Sequence, residues 1–224
     1  MDRSRKTALR AVLIVYVLVF FALWTAWELW AKPFISGSVE NEYISQLIKS
    51  GVVKNLVWTL PALLLIKYFE RFDMYVGAKE MFTTKVNPLK YLWIFGAFTV
   101  YLLVGAFLQK GRISVSETFG VDKLIVVLFV GITEETVFRG WLLNATLGER
   151  KKWIPVAANA LMFLLIHFPV WIHDGVFVEN FRNLGFLSIL ILSVIFSMTF
   201  IKSKSIWIPV ALHMYWDLLM FLFC

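Results

Sequence analysis

Charge is scarce in this chain. Asp, Glu, Lys and Arg make up only 17% of its 224 residues, against 60% hydrophobic residues and a mean hydropathy of +0.76. An ordinary soluble domain carries about a quarter charged residues and about half apolar ones, so that class is excluded. There is one cysteine, Cys224, so no intrachain disulfide can form. As the last residue it is not expected to accept a prenyl group either, because a C-a-a-X acceptor has three residues after it. Internal repeats and low-complexity segments are missing. So are a serine at a nucleophile elbow, a catalytic aspartate pair and an H-E-x-x-H helix. The net charge of +7 brings no basic patch interleaved with aromatics, which argues against a nucleic-acid partner.

What the chain has in place of charge is seven apolar runs, at residues 11–30, 52–68, 91–109, 124–147, 153–172, 184–201 and 206–223. Each is close to the ~20 residues that cross a bilayer as a helix. The fold class expected is all-α, a polytopic transmembrane bundle of about seven or eight spans around a polar cavity. Arg3, Arg5, Lys6 and Arg10 precede the first run, which is too long and too Trp-rich at its end for a signal peptide. It is therefore expected to be a retained span. Pro61 is expected to kink the second span. Residues 35–50 are too polar to cross and are expected as a short amphipathic piece in the interface, and 79–88 as a polar loop. With a cytoplasmic N-terminus, fourteen of the 22 basic residues fall inside and seven outside. This asymmetry predicts N-in, C-out. The chain divides into N-terminal helices over 1–120 and a core over 121–224 that holds the unusual polar residues.

The most informative stretch is Gly131-Ile132-Thr133-Glu134-Glu135-Thr136-Val137-Phe138-Arg139-Gly140. It places two carboxylates and a guanidinium in the middle of the fourth run, where each ionised group costs roughly 2.5–3.5 kcal/mol on insertion scales. Glu135 and Arg139, four residues apart, share a helix face and can neutralise each other. Glu134 points about 100° away and is unexplained by that pair. His167 lies in the fifth run. His213 and Asp217 share a face of the seventh. His173 sits at a helix end beside Asp174. Glu28, Lys54 and Lys67 are expected near span ends, with acids wet and lysines snorkelling.

A lone histidine in a span is often only an interhelical hydrogen-bonder, and His213 with Asp217 could be a buried imidazole and its partner. Three helices each offering an inward polar group nevertheless point to one shared site. Burial makes a carboxylate a better base toward water. A neutral imidazole can hold that water or a metal, and a second can donate to a developing oxyanion. Such an inventory suits hydrolysis of an amide.

The pattern Glu134-Glu135-x-x-x-Arg139, then Phe163-x-x-x-His167, then His213-x-x-x-Asp217, resembles the CPBP intramembrane proteases. These are the CAAX-prenyl-protease and bacteriocin-processing family, also called Abi. Ser205-Ile206-Trp207-Ile208-Pro209 leads into the last motif, and the resemblance covers about residues 121–223. It implies a multi-pass membrane endopeptidase acting on a prenylated or leader-type peptide, in contact with lipid. By position, Glu134 and His167 would activate the water, His213 and Asp217 would form the oxyanion side, and Glu135 with Arg139 would be the supporting pair. The last motif often ends in asparagine. Asp217 departs from this and would instead orient His213. The motif leaves open zinc, with Glu134, His167 and His213 as ligands, or a metal-free glutamate. Two other classes compete. One is a non-catalytic scaffold or bacteriocin-immunity protein, against which the intact acid–imidazole set argues. The other is a proton-coupled carrier, against which the missing inverted repeat and paired broken helices argue.

Overall fold

The computed structural model describes residues 3–70, 74–147 and 152–224, with side chains from Thr7 onward. Arg71, Arg150 and Lys151, which contribute to the charge asymmetry, lie outside the described residues, as do the side chains of Arg3, Arg5 and Lys6. The chain runs through α1 (Thr7–Ser38), α2 (Glu42–Phe69), the short α3 (Ala78–Thr83) and α4 (Pro88–Lys110). It continues through α5 (121–146), α6 (Trp153–His173), the short α7 (Phe177–Arg182), α8 (Gly185–Ser203) and α9 (Trp207–Phe223). No strand occurs among the described residues. By length and composition α1, α2, α4, α6 and α8 can cross a membrane. The α5 helix is also long, but it carries Glu134, Glu135 and Arg139 together. The 17 residues of α9 reach about 25 Å at 1.5 Å per residue. Every apolar run of the sequence is thus helical.

Two polar stretches fold differently from expectation. Residues 35–50 form no separate interfacial piece. They are divided between the end of α1 and the start of α2, with a break at Val39–Asn41. Asn41 explains the restart, since its Oδ1 accepts from Ile44 N at 3.1 Å and caps α2. Lys49 Nζ donates to Ser36 Oγ at 2.8 Å, so the polarity that reads as interface closes the helical hairpin. Residues 79–88 are not wholly a loop either, because α3 docks on the start of α9. There Ile206 N bonds to Met81 O at 3.1 Å, and Trp207 Nε1 to Phe82 O at 2.9 Å. Pro61 falls where i→i+5 winding over Asn55–Thr59 gives way to α winding from Leu60. Its missing N–H suits a change of winding.

The early start of α2 and late end of α1 have a further consequence. Position 54 lies mid-helix rather than at a span end, and so does position 28. Lys54 and Glu28 are buried, whereas Lys67 is exposed in the last turn of α2 as expected. Lys49 is buried too, so two lysines counted as outside loop charges belong to the bundle.

The core is aromatic. Trp24 and Trp27 of α1 pack edge-on against Trp58 of α2, at 5.0 and 5.6 Å between centroids. Phe20 meets Phe138 of α5 at 5.8 Å. Trp24 also donates from Nε1 to Ile166 O of α6 at 2.9 Å. At one end Asn144 of α5 pins the segment entering α3. Its Oδ1 accepts from Val76 N at 2.8 Å, and its Nδ2 donates to Val76 O at 2.9 Å. Asn144→Ala leaves both buried backbone groups unpaired. It is expected to destabilise the protein by about 1–3 kcal/mol, read as a lower thermal midpoint in detergent.

Candidate active site

The site forms where α9 crosses α5, and a glycine makes the crossing close. A Cβ on Gly131 would stand 2.6 Å from Met214 Cγ and 3.5 Å from Met214 N and Val210 O. No larger residue lets α9 come this near. One helical turn on from Gly131, Glu134 and Glu135 reach His213, the neighbour of Met214. Glu135 Oε1 accepts from His213 Nδ1 at 2.7 Å and from Arg139 Nη1 at 2.8 Å. His213 Nε2 then faces the other way, 3.5 Å from Asp217 Oδ2 and 3.9 Å from Glu134 Oε2. The two adjacent carboxylates of α5 therefore grip one imidazole from both sides.

Arg139 is wholly buried. Its Nη2 donates to Ser193 Oγ at 2.7 Å and to Ser193 O at 3.1 Å, on α8. Its guanidinium lies 4.5 Å from the Phe163 centroid and 5.3 Å from that of Phe196. Phe196 stacks on His213 at 5.1 Å and 18°. Winding of the i→i+5 type over Thr136–Leu143 begins directly after Glu135. Wide turns of this kind recur at functional sites. Here the turn keeps Arg139 on Glu135 while Phe138 faces Phe163, at 5.1 Å between centroids.

His167 stands across Phe163 from this cluster. The ring of Phe163 is 5.4 Å from His167 and 5.8 Å from His213. Since a carbonyl only accepts, His167 Nδ1 carries the hydrogen that donates to Phe163 O at 2.8 Å. That leaves Nε2 as an acceptor. No ion pair joins His167 to Glu134 among the described residues. Glu134, Glu135, His213 and Asp217 thus come together, and His167 lies one aromatic ring away. His173 stays apart, paired with Asp174 at 2.9 Å on the exposed end of α6. The short contact on the His213 ring comes from Glu135 at Nδ1, and Asp217 approaches the other ring nitrogen at 3.5 Å.

A groove of about 1140 Å³ between α4, α8 and α9 is walled mainly by apolar and aromatic residues. Trp171, in its wall, lies 5.9 Å from His167, and Trp216 adjoins Asp217. The acids themselves do not line it. No group of three His, Cys, Asp or Glu able to hold a metal is formed among the described residues. Glu134, His167 and His213 as arranged do not fit the zinc-ligand set that the motif left open.

Lys54 was missed by sequence reasoning, which placed it at a membrane surface. The signal available was Asn41-Glu42, a cap with an acid behind it, which starts α2 ten residues before its apolar run.

A family model described as Rce1-like, the type II CAAX prenyl endopeptidases, matches residues 117–219. No curated protein and no solved structure gives a match.

Proposed function

We propose that the chain, which matches the Rce1-like family model over residues 117–219, hydrolyses a peptide bond of a membrane-associated substrate with water activated by Glu134. The substrate class is a prenylated protein ending C-a-a-X or a leader-type peptide. Residues 121–224 are the catalytic core, residues 1–120 enclose it, and the N-terminus faces the cytoplasm as the loop charges argue.

One observation carries the reading. Glu134 is buried, accepts no hydrogen bond among the described residues, and stands 3.9 Å from His213 Nε2. That separation is too long for a direct hydrogen bond and short enough for one water to touch both atoms. Glu134 takes a proton from that water as the oxygen attacks the scissile carbonyl. A proton on His213 Nε2, with Nδ1 held by Glu135, faces the oxyanion that results. His167 Nε2, beyond the Phe163 ring, accepts from a second water that leads to the first. Glu134 then returns its proton to the leaving nitrogen as the C–N bond breaks.

The test is cleavage by the purified protein in liposomes of a farnesylated C-a-a-X peptide, with the products identified by mass. Release of the three-residue tail supports the reading, and an intact substrate refutes it. Asp217 gives a finer check. Asn has the same shape and retains an oxygen facing His213 Nε2, now 3.5 Å away. Asp217→Asn is therefore expected to keep kcat within about tenfold of wild type, while Asp217→Leu loses about 10²-fold, in the range of a lost oxyanion-side group.

A further inference from the structure

Lys54 is a buried cation with no oxygen partner among the described residues. It is 7% exposed, and its Nζ makes no hydrogen bond and no ion pair among the described residues. Its Nζ stands over the face of Trp24, 4.6 Å from the ring centroid. Such an arrangement is costly, because a buried charge ordinarily needs a partner. A lysine that only held helices together would be expected to end on an oxygen, as Lys49 does on Ser36 and Lys32 does on Glu28 at 2.6 Å.

The packing of α2 says where Lys54 is directed. A Cβ on Gly51 would lie 3.2 Å from the Phe129 ring, and Thr59 Oγ1 bonds to Thr133 Oγ1 at 3.1 Å. The two helices therefore run side by side in the same sense, and position 54 lies on α2 between those two contacts. Thr133 immediately precedes Glu134. Among the charges acting on Lys54, Glu134 is the strongest, followed by Glu28, Lys32 and Asp217. The site's own pairings leave this carboxylate over. Glu135 has Arg139 and Glu28 has Lys32 in close pairs, whereas Glu134 has only the 3.9 Å approach of His213 among the described residues.

We propose that Lys54 is a positioning residue of the site, the counter-charge of Glu134, supplied from a helix outside the family-matched segment. It acts through Glu134 and does not touch the scissile bond. Its ammonium offsets the carboxylate's charge as water approaches. It also stays near enough to restrain the negative charge when this passes from Glu134 to the oxyanion. The proposal rests on the peptidase reading.

The test compares Lys54→Met, Lys54→Gln and Lys54→Arg with wild type in the farnesylated-peptide assay, alongside thermal unfolding in detergent. Loss of the charge is expected to lower kcat by about 10- to 100-fold, with KM within about threefold. Lys54→Arg is expected to restore most of the rate. The melting temperature of Lys54→Met is expected to equal or exceed that of wild type, because an unpaired buried charge has been removed. A purely structural lysine would give the opposite pattern, a lower melting temperature with kcat intact in the folded fraction, and that result overturns the proposal. So does wild-type kcat in both Met and Gln, or an Arg variant as slow as Met. Should Met fail to fold, Gln decides. A wild-type protein that cleaves nothing overturns the peptidase reading and this proposal with it, whereas active wild type with active Lys54→Met overturns this proposal alone.

Discussion

Glu134→Gln is expected to lower kcat by about 10²–10⁴-fold, the usual contribution of a positioned general base, while leaving the fold untouched. Gln has the size and shape of Glu, and Glu134 accepts no hydrogen bond among the described residues that the amide would lose. His213 Nε2 stands 3.9 Å away. Stability should stay within about 1 kcal/mol of wild type. The measurement is a pair of curves on one preparation, peptide cleavage in liposomes and thermal unfolding in detergent. A variant with wild-type turnover removes Glu134 from the role of base.

Arg139→Met should show the reverse, with stability falling by about 3–5 kcal/mol, as when one member of a buried ion pair is removed. The guanidinium is wholly buried and joins three helices. It reaches Glu135 on its own helix at 2.8 Å and Ser193 of α8 at 2.7 Å, and it lies against Phe163 of α6 at 4.5 Å. Without it, Glu135 retains only the His213 contact, and a carboxylate is left in the bundle with one cation fewer. Replacing both members, Glu135→Leu with Arg139→Met, should recover part of the loss, because the penalty comes mainly from the stranded charge. It should recover no activity, since Glu135 also holds Nδ1 of His213 at 2.7 Å. Thermal or denaturant unfolding of the two variants checks both statements. Equal midpoints for Arg139→Met and wild type would contradict them.

Helical periodicity made part of this legible from sequence. The spacing of Glu135 and Arg139 is realised as a 2.8 Å ion pair, and that of His213 and Asp217 as a 3.5 Å approach. Every apolar run became a helix because hydrophobicity and length suffice to specify one in lipid. Helix ends were less legible, since a capped polar stretch such as 35–50 looks like interface until its side chains find partners across a hairpin. Misplacing that boundary hid the burial of Glu28 and Lys54. Tertiary contacts were not legible either. Nothing local says that Gly131 admits Met214, that one imidazole is shared by adjacent carboxylates, or that Phe163 stands between the two histidines. The i→i+5 winding after Glu135 also lacks a sequence signal that we can name.

The central claim is that a water on Glu134, and not the carboxylate itself, attacks the scissile bond. A single turnover in ¹⁸O-labelled water, with enzyme in excess over farnesylated peptide, tests it most directly. The account predicts one ¹⁸O in the new carboxyl terminus of the prenylated fragment from the first turnover, and formation of that fragment slowed by about 10²–10⁴-fold in Glu134→Gln. Unlabelled product with the label in Glu134, or cleavage at the wild-type rate by Glu134→Gln, would contradict it.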